Sequence, residues 1–253
     1  MPLLPARPPG PSMLPALLFM LTLAAAPAAA VPPPAAPPTL PDTLAQRALA
    51  CTACHGAAGR ATPGGYFPRL AGKPAGYLLQ QLLHFRDGRR PHAGMARLLA
   101  PLSDDYLATL AGHFAALDLP YPPPERPTAS AAQRARGEAL VRHGDPARRL
   151  PACVACHGEG LTGAQPAMPG LLGLSRDYLN AQLGAWRTGQ RQARAPDCMA
   201  ELARALAPDE VEAVAAWLAA QPLPADPKPA AQTLPQPLRE CGTARVAASG
   251  GLR

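Results

Sequence analysis

The chain has 253 residues, 48% of them hydrophobic but only 4% aromatic, with 35 prolines and a formal charge of +7. That length suits one or two domains. The positive charge is not gathered into blocks of Lys and Arg interleaved with aromatics, which excludes a nucleic-acid-binding surface. Beyond the N-terminal segment, no stretch approaches the roughly 20 apolar residues of a membrane-spanning helix.

Residues 1–30 carry the features of an export signal: Arg7, an apolar run from Leu14 to Ala26, and Ala28-Ala29-Ala30 before Val31 as a cleavage site. The run is short for a bilayer span, so cleavage and a periplasmic location are expected. A retained anchor with peripheral membrane association is the alternative. Residues 31–41 are Pro-rich and predict an extended tether.

The first domain is expected over 42–119. Asp42 is placed to N-cap a helix that runs through Leu44, Ala48 and Leu49 into Cys51. Residues 56–73 lack periodicity and carry Gly59, Gly64, Gly65 and Gly72, a loop signal. Pro74 is placed to open a helix bearing Tyr77, Leu78, Gln81, Leu82 and Phe85 at helical spacing, which Gly88 can end. Ser103 predicts the start of a last helix with Leu107, Leu110, Phe114 and Leu117 on one face. The segment 120–130 is rich in proline and predicts a linker.

The second domain is expected over 131–221 and repeats this plan. A helix runs from about Ala131 to His143, and Pro208-Asp-Glu210 opens the last one, carrying Val211, Val214, Trp217 and Leu218. Pro169-Gly-Leu-Leu-Gly173 matches Pro68-Arg-Leu-Ala-Gly72, and Tyr178-Leu-Asn-Ala-Gln-Leu183 matches Tyr77-Leu-Leu-Gln-Gln-Leu82. Trp186-Arg-Thr-Gly189 matches Phe85-Arg-Asp-Gly88. A period of about 100 residues marks an internal duplication. Residues 222–253 form a Pro-rich tail. The fold class expected is all-α, two similar small domains.

At the centre of each half stands one pentapeptide, Cys51-Thr-Ala-Cys54-His55 and Cys153-Val-Ala-Cys156-His157. C-x-x-C-H reads as a site of covalent attachment for haem c, with the histidine placed to ligate the iron. Two copies predict two haem c groups held by Cys51, Cys54, Cys153 and Cys156, with His55 and His157 as proximal ligands. The competing reading of two C-x-x-C pairs is a Cys₄ zinc site. It leaves both histidines unexplained. Domains this small are marginal alone, and a covalently held haem supplies the apolar body around which short helices can pack.

Three methionines follow residue 30: Met95, Met168 and Met199. Met95 lies 40 residues beyond His55, and Met199 lies 42 beyond His157, each after a Gly-terminated helix. Matching places make them the expected distal ligands. Met168 aligns with Phe67 and is expected to pack in a haem pocket. His92 is a rival to Met95 with no counterpart in the second half; His84 and His113 are expected at the surface. Cys198 and Cys241 remain unmatched. In an exported chain they are expected to pair as a disulfide that ties the tail back beside Met199. A thiolate of Cys198 replacing Met199 on the iron is the alternative.

As a set, the duplicated C-x-x-C-H-G, the P-x-L-x-G stretches, the Tyr-Leu-x-x-Gln-Leu helices, the Arg-x-Gly turns, the late methionines and Arg136-Gly-Glu-Ala-Leu140 resemble the di-haem cytochrome c4 family, two class I cytochrome c domains in tandem. The resemblance covers about residues 42–221. It implies an electron carrier, not an enzyme, that takes electrons from a quinol-oxidising complex (quinol–cytochrome c reductase) and passes them to a haem–copper oxidase or similar acceptor. A cytochrome subunit of a periplasmic dehydrogenase and a di-haem enzyme oxidising sulfur compounds are the alternatives. The first half departs from the pattern in lacking a glycine equivalent to Gly137, and the spare cysteines and Pro-rich tail are additions.

Overall fold

The computed structural model describes residues 41–62, 65–231 and 241–242. The expected signal, residues 31–40 of the tether and most of the tail beyond 231 lie outside the described residues. Ten helices follow in order: α1 (Leu44–Arg47), α2 (Leu49–His55), α3 (Ala75–Arg86), α4 (Ala93–Leu99), α5 (Asp104–Ala115), α6 (Ala131–His143), α7 (Val154–His157), α8 (Arg176–Arg187), α9 (Cys198–Ala205) and α10 (Pro208–Ala219). Among the described residues, the helical plan is interrupted by an antiparallel pair of two-residue strands, β1 (Gly163–Ala164) and β2 (Met168–Pro169). Ala230 of the tail joins it as a parallel bridge to Ala164.

Local chemistry sets the helix ends. Ser130 and Gln133 form a reciprocal capping box at the start of α6, a pairing that contributes about 1 kcal/mol. Ser103 caps α5 through the backbone N–H of Tyr106, and Pro208 occupies the first turn of α10. The first helix differs from expectation. Thr43, not Asp42, is its N-cap, because Asp42 is drawn into a two-point ion pair with Arg47 at 2.7 and 2.6 Å. The chain then breaks at Ala48, so α1 and α2 replace one continuous helix. Pro74 is the N-cap of α3, one residue earlier than the position expected.

Each half builds its own core. In the first, Ala48, Leu78, Leu110, Ala111 and Phe114 join α1, α3 and α5. The second is larger, running from Leu140 and Val141 of α6 through Leu179 and Leu183 of α8 to Val214, Trp217 and Leu218 of α10. The crossing of α6 and α10 is closest at Gly137, where an added Cβ would stand 2.3 Å from the carbonyl oxygen of Ala213 and 2.9 Å from Cβ of Trp217. At one end of that crossing, Glu210 accepts from Arg148 at 2.8 and 3.0 Å and from Arg136, drawing the segment 144–151, which has no counterpart in the first half, against α10.

The halves are joined by more than the linker. Arg69 donates to the carbonyls of Leu119 and Pro120 and lies 3.9 Å from the ring centroid of Tyr121, so the loop of the first half grips the linker. Backbone bonds run from Gly76 to Pro166 at 3.0 Å and from Gln192 to Arg89 at 2.7 Å. An added Cβ at Gly76 would meet the Pro166 carbonyl oxygen at 2.7 Å, so this approach also requires glycine.

Two outcomes follow from these contacts. Gly137→Ala gains helix propensity but drives a methyl into a backbone carbonyl that cannot rotate away; the clash wins, and denaturant unfolding of the haem-loaded protein is expected to show a loss of about 1–3 kcal/mol. Burial pushes the Glu210 carboxyl up, but the bonds from Arg148, the Ala207 backbone and Arg136 outweigh it and bring the pKa down to about 2. Its folded pKa lies below its unfolded one, so its contribution is complete above the ordinary glutamate range and is lost as pH falls from there toward 2. Acid unfolding of Glu210→Gln, followed over that window, is expected to lack this part of the pH dependence.

Candidate haem-binding site

The two Cys-x-x-Cys-His motifs sit at helix C-termini: Cys51, Cys54 and His55 on α2, and Cys156 and His157 on α7 with Cys153 as its N-cap. Helical spacing puts the two sulfurs of each motif on the same face as the following imidazole. Gly56 and Gly158 follow with φ of 76° and 83°, a left-handed turn that carries the chain away from the site. At Gly56 an added Cβ would stand 2.2 Å from the carbonyl oxygen of Ala61, so the first turn also depends on a close backbone approach.

Both histidines are buried and both are held the same way. Nδ1 of His55 bonds the carbonyl oxygen of Pro68 at 2.8 Å, and Nδ1 of His157 bonds that of Pro169 at 2.7 Å. A carbonyl only accepts, so Nδ1 carries the proton in each ring and Nε2 presents its lone pair. Burial holds both imidazoles below their usual pKa, against the opposing effect of the proline carbonyls. Each is therefore a neutral, oriented nitrogen donor. The thiols are disfavoured as thiolates: burial raises Cys51 and Cys156, and burial together with Cys156 takes Cys153 up to about 12. The four cysteines are not gathered into a metal-holding cluster with one another, so the zinc reading has no Cys₄ set to stand on.

All of these residues face a cavity of about 1300 Å³ that runs through both halves, larger than the roughly 300–1,000 Å³ of a single small-molecule site. Its walls are apolar over most of their extent, with Leu78, Leu82, Phe85 and Leu110 in the first half and Leu179, Leu183, Leu202 and Leu218 in the second. Met95 and Met199 line it, each in the first turn of a short helix, α4 or α9. Phe67 and Met168 also line it, at matching positions. His92, the rival of Met95, is the N-cap of α4, and its Nδ1 accepts from the backbone N–H of Met95 at 3.2 Å. The ring thus fixes the helix that carries the methionine.

Cys198 and Cys241 form a disulfide, Cα atoms 5.6 Å apart. Cys198 is therefore no thiolate. The staple brings the tail beside Met199, where the Gly242 N–H also bonds the Pro196 carbonyl at 2.9 Å.

Two features were not expected. His84 is buried, not at the surface: it is 3% exposed and its Nε2 has no hydrogen-bond partner. Burial, with Arg191, Arg89, Arg194 and Arg90 around it, lowers its pKa to about 4, so it is neutral. The second is a buried arginine pair at the meeting of the two halves. Arg90 donates to Gln81 at 3.0 Å, to Gln182 at 2.7 Å and to the Tyr178 hydroxyl at 2.8 Å. Arg191 donates to the same two glutamines, at 2.7 and 2.8 Å. Each guanidinium also lies against the ring of its own half, Arg90 4.4 Å from Phe85 and Arg191 3.7 Å from Trp186. Burial and the neighbouring Arg90 bring Arg191 down to about 10. These partners are all uncharged, and both arginines line the cavity. The signal for them lay in the duplication: each stands two residues after the matched glycine, Gly88 or Gly189.

The residues fit two haem groups. Two oriented imidazoles, two cysteine pairs and apolar walls match the iron, the vinyl edges and the macrocycle. Two buried guanidiniums with neutral partners match the anionic carboxylates of such a cofactor.

A family model described as cytochrome c matches residues 135–221. The thiosulfate dehydrogenase electron acceptor of Thiomonas intermedia (strain K12) is 42% identical over 176 residues, 70% of this chain and 80% of the relative. Cytochrome c4 of Pseudomonas aeruginosa is 39% identical over 146 residues, 57% of this chain and 70% of the relative. Among solved structures, reduced recombinant cytochrome c4 from Pseudomonas stutzeri superposes with a TM-score of 0.60 at 30% identity, covering 70% of this chain and 96% of that one. A thiosulfate dehydrogenase from Marichromatium purpuratum gives 0.62 at 37% identity, covering 68% of this chain but 36% of that longer one.

The staple generates a prediction. Cys241→Ser, or reduction of the native disulfide, is expected to cost about 2–4 kcal/mol in denaturant unfolding. Alkylation without reductant is expected to modify neither Cys198 nor Cys241, as read by mass spectrometry.

Proposed function

We propose that this chain, which belongs to the di-haem cytochrome c4 family, accepts single electrons from a periplasmic dehydrogenase that oxidises thiosulfate or a related sulfur compound and hands them to a respiratory acceptor such as a haem–copper oxidase. In this reading residues 42–119 and 131–221 are two domains. Cys51 and Cys54 hold haem 1, with His55 and Met95 as its axial ligands. Cys153 and Cys156 hold haem 2, with His157 and Met199. Residues 1–30 direct export to the periplasm and are removed. Among the described residues, no helix is long and apolar enough to cross a membrane.

Iron held between histidine and methionine supplies one-electron exchange at a raised potential. The chain's own residues do the rest. The Pro68 and Pro169 carbonyls keep the imidazoles in one tautomer and one orientation, which limits rearrangement when charge changes. His92 and Asp197 cap the helices that carry Met95 and Met199, and the Cys198–Cys241 bond braces the second of these. Arg90 and Arg191, which line the cavity where the halves meet, would offer their guanidiniums to the carboxylates of the two groups.

The observation that favours a sulfur dehydrogenase as donor is the 42% identity, over 80% of its length, to a protein named as the electron acceptor of thiosulfate dehydrogenase. The thiosulfate dehydrogenase structure from Marichromatium purpuratum, of which this chain matches 36%, points the same way. A quinol-oxidising complex is the competing donor.

The test has two parts. The purified protein is expected to contain two haem c per chain, each with the absorption of methionine-ligated iron, and in the reduced state to bind no carbon monoxide. Mixed with a thiosulfate dehydrogenase and thiosulfate in a stopped-flow instrument, both haems are expected to become reduced. Reduction by a quinol–cytochrome c reductase and not by the dehydrogenase would overturn the assignment of the donor. Carbon monoxide binding at either haem would overturn the ligand set.

A further inference from the structure

Lys73 stands in the loop of the first half, directly before α3, and is 4% exposed. Its ammonium does not serve its own half. It crosses to the second and donates to the carbonyl oxygen of Gly170 at 2.8 Å. Gly170 follows Pro169, whose carbonyl accepts the hydrogen bond from Nδ1 of His157 at 2.7 Å. A positive charge from one half is thus lodged against the peptide segment that orients the histidine of the other. The bonded partner is a neutral carbonyl, which leaves the positive charge uncancelled. Burial, with Arg69 nearby, lowers the lysine's pKa to about 8, so it is charged at neutral pH.

The arrangement is not reciprocated. The duplication that pairs Gly72 with Gly173 pairs Lys73 with Leu174, so the second half has no equivalent ammonium to send back. At this contact one domain places a fixed charge beside the other's cofactor site with no counterpart in return, whereas the Arg90–Arg191 pair reaches across both ways.

We infer that Lys73 of the first domain sets the reduction potential of the haem attached in the second, raising it and biasing the shared electron toward that site. This rests on the reading of His157 as an iron ligand. The physical reason is electrostatic. Reduction removes one positive charge from the iron centre, so a fixed cation nearby favours the reduced state, and burial at the interface screens that interaction far less than water would. Outer partners of a ligating histidine tune its metal in the same way. Because the ammonium belongs to one domain and the histidine to the other, the effect exists while the two are docked.

The full-length, haem-loaded protein tests this by potentiometric titration followed by absorbance, with the two midpoints assigned by which one moves in Met199→His. Lys73→Gln keeps a hydrogen-bond donor for Gly170 but loses the charge. It is expected to lower the haem 2 midpoint while haem 1 stays fixed, shifting the electron distribution between them by on the order of tenfold, equivalent to about 59 mV for one electron. Lys73→Arg keeps the charge and is expected to keep the native midpoints. Should Lys73→Gln fail to load its haems, Lys73→Met removes the same charge and carries the same expectation. An unchanged haem 2 midpoint, or equal shifts of both, in a protein with two methionine-ligated haems overturns the role of Lys73 alone. A native protein lacking the second haem, or the methionine signature at it, overturns the ligand assignment and this inference with it.

Discussion

The contact on which the rest of the molecule turns is a hydrogen bond made twice, from an imidazole Nδ1–H to a proline carbonyl. Proline has no N–H of its own to offer, and its fixed φ stiffens the loop that presents its oxygen. The bond reaches 13 residues along the chain in the first half and 12 in the second, so each loop after a Cys-x-x-Cys-His motif must return to the same place. That return explains the left-handed turns at Gly56 and Gly158 and the further turns at Gly59 and Gly163. It also fixes which nitrogen faces the cavity, and with it the chemistry of which the site is capable. A free imidazole could rotate or protonate; this one is pinned in the neutral tautomer by a partner that can only accept.

The second constraint is the charge buried where the halves meet. Taking a guanidinium out of water costs several kcal/mol even after relaxation, and here two are buried side by side on shared glutamine oxygens. Like charges that close oppose the docking of the domains unless something anionic joins them. The cavity beside them is where a haem carboxylate would lie, so the cofactors and the interdomain contact are parts of one electrostatic arrangement. Trp186 and Phe85 cover the guanidinium faces and contribute about 0.5–2 kcal/mol each as cation–π partners.

Much of this was legible in the sequence because it is written in local signals. Ser103 and Pro208 announce helix starts, the motif pair announces the cysteines and histidines, and the duplication singles out Met95 and Met199. What was not legible depended on distant neighbours. Asp42 is the better cap by type, and Thr43 takes the place because Arg47 engages Asp42. Helices α4 and α9 span seven and eight residues, too few for periodicity to show, and the cap of α4 is a histidine that competes in the sequence as a ligand. His84 and the arginines read as surface residues because their types are mostly exposed; burial came from packing the second half against the first. The matched offsets of Arg90 and Arg191, like those of Gln81 and Gln182, did carry the information, since a symmetric cluster across an interface appears in a duplicated chain as one residue repeated.

Duplication also makes the differences between the halves informative, since a symmetric ancestor would give two equivalent sites. The second half has acquired its own bracing: the Glu210 network over the 144–151 insertion, the Cys198–Cys241 staple, and a core extended by Trp217. The first half has a smaller core and relies on its partner, through Gly76 against Pro166, Arg90 against Tyr178 and Lys73 against Gly170. Tyr66 stands 67% exposed at the cavity rim of this half, and Cys54 is exposed as well. A braced site and a leaning one, with Lys73 lodged against the second half alone, are not interchangeable. Electron distribution across such a pair is a property of the docked interface and cannot be assigned to either domain alone.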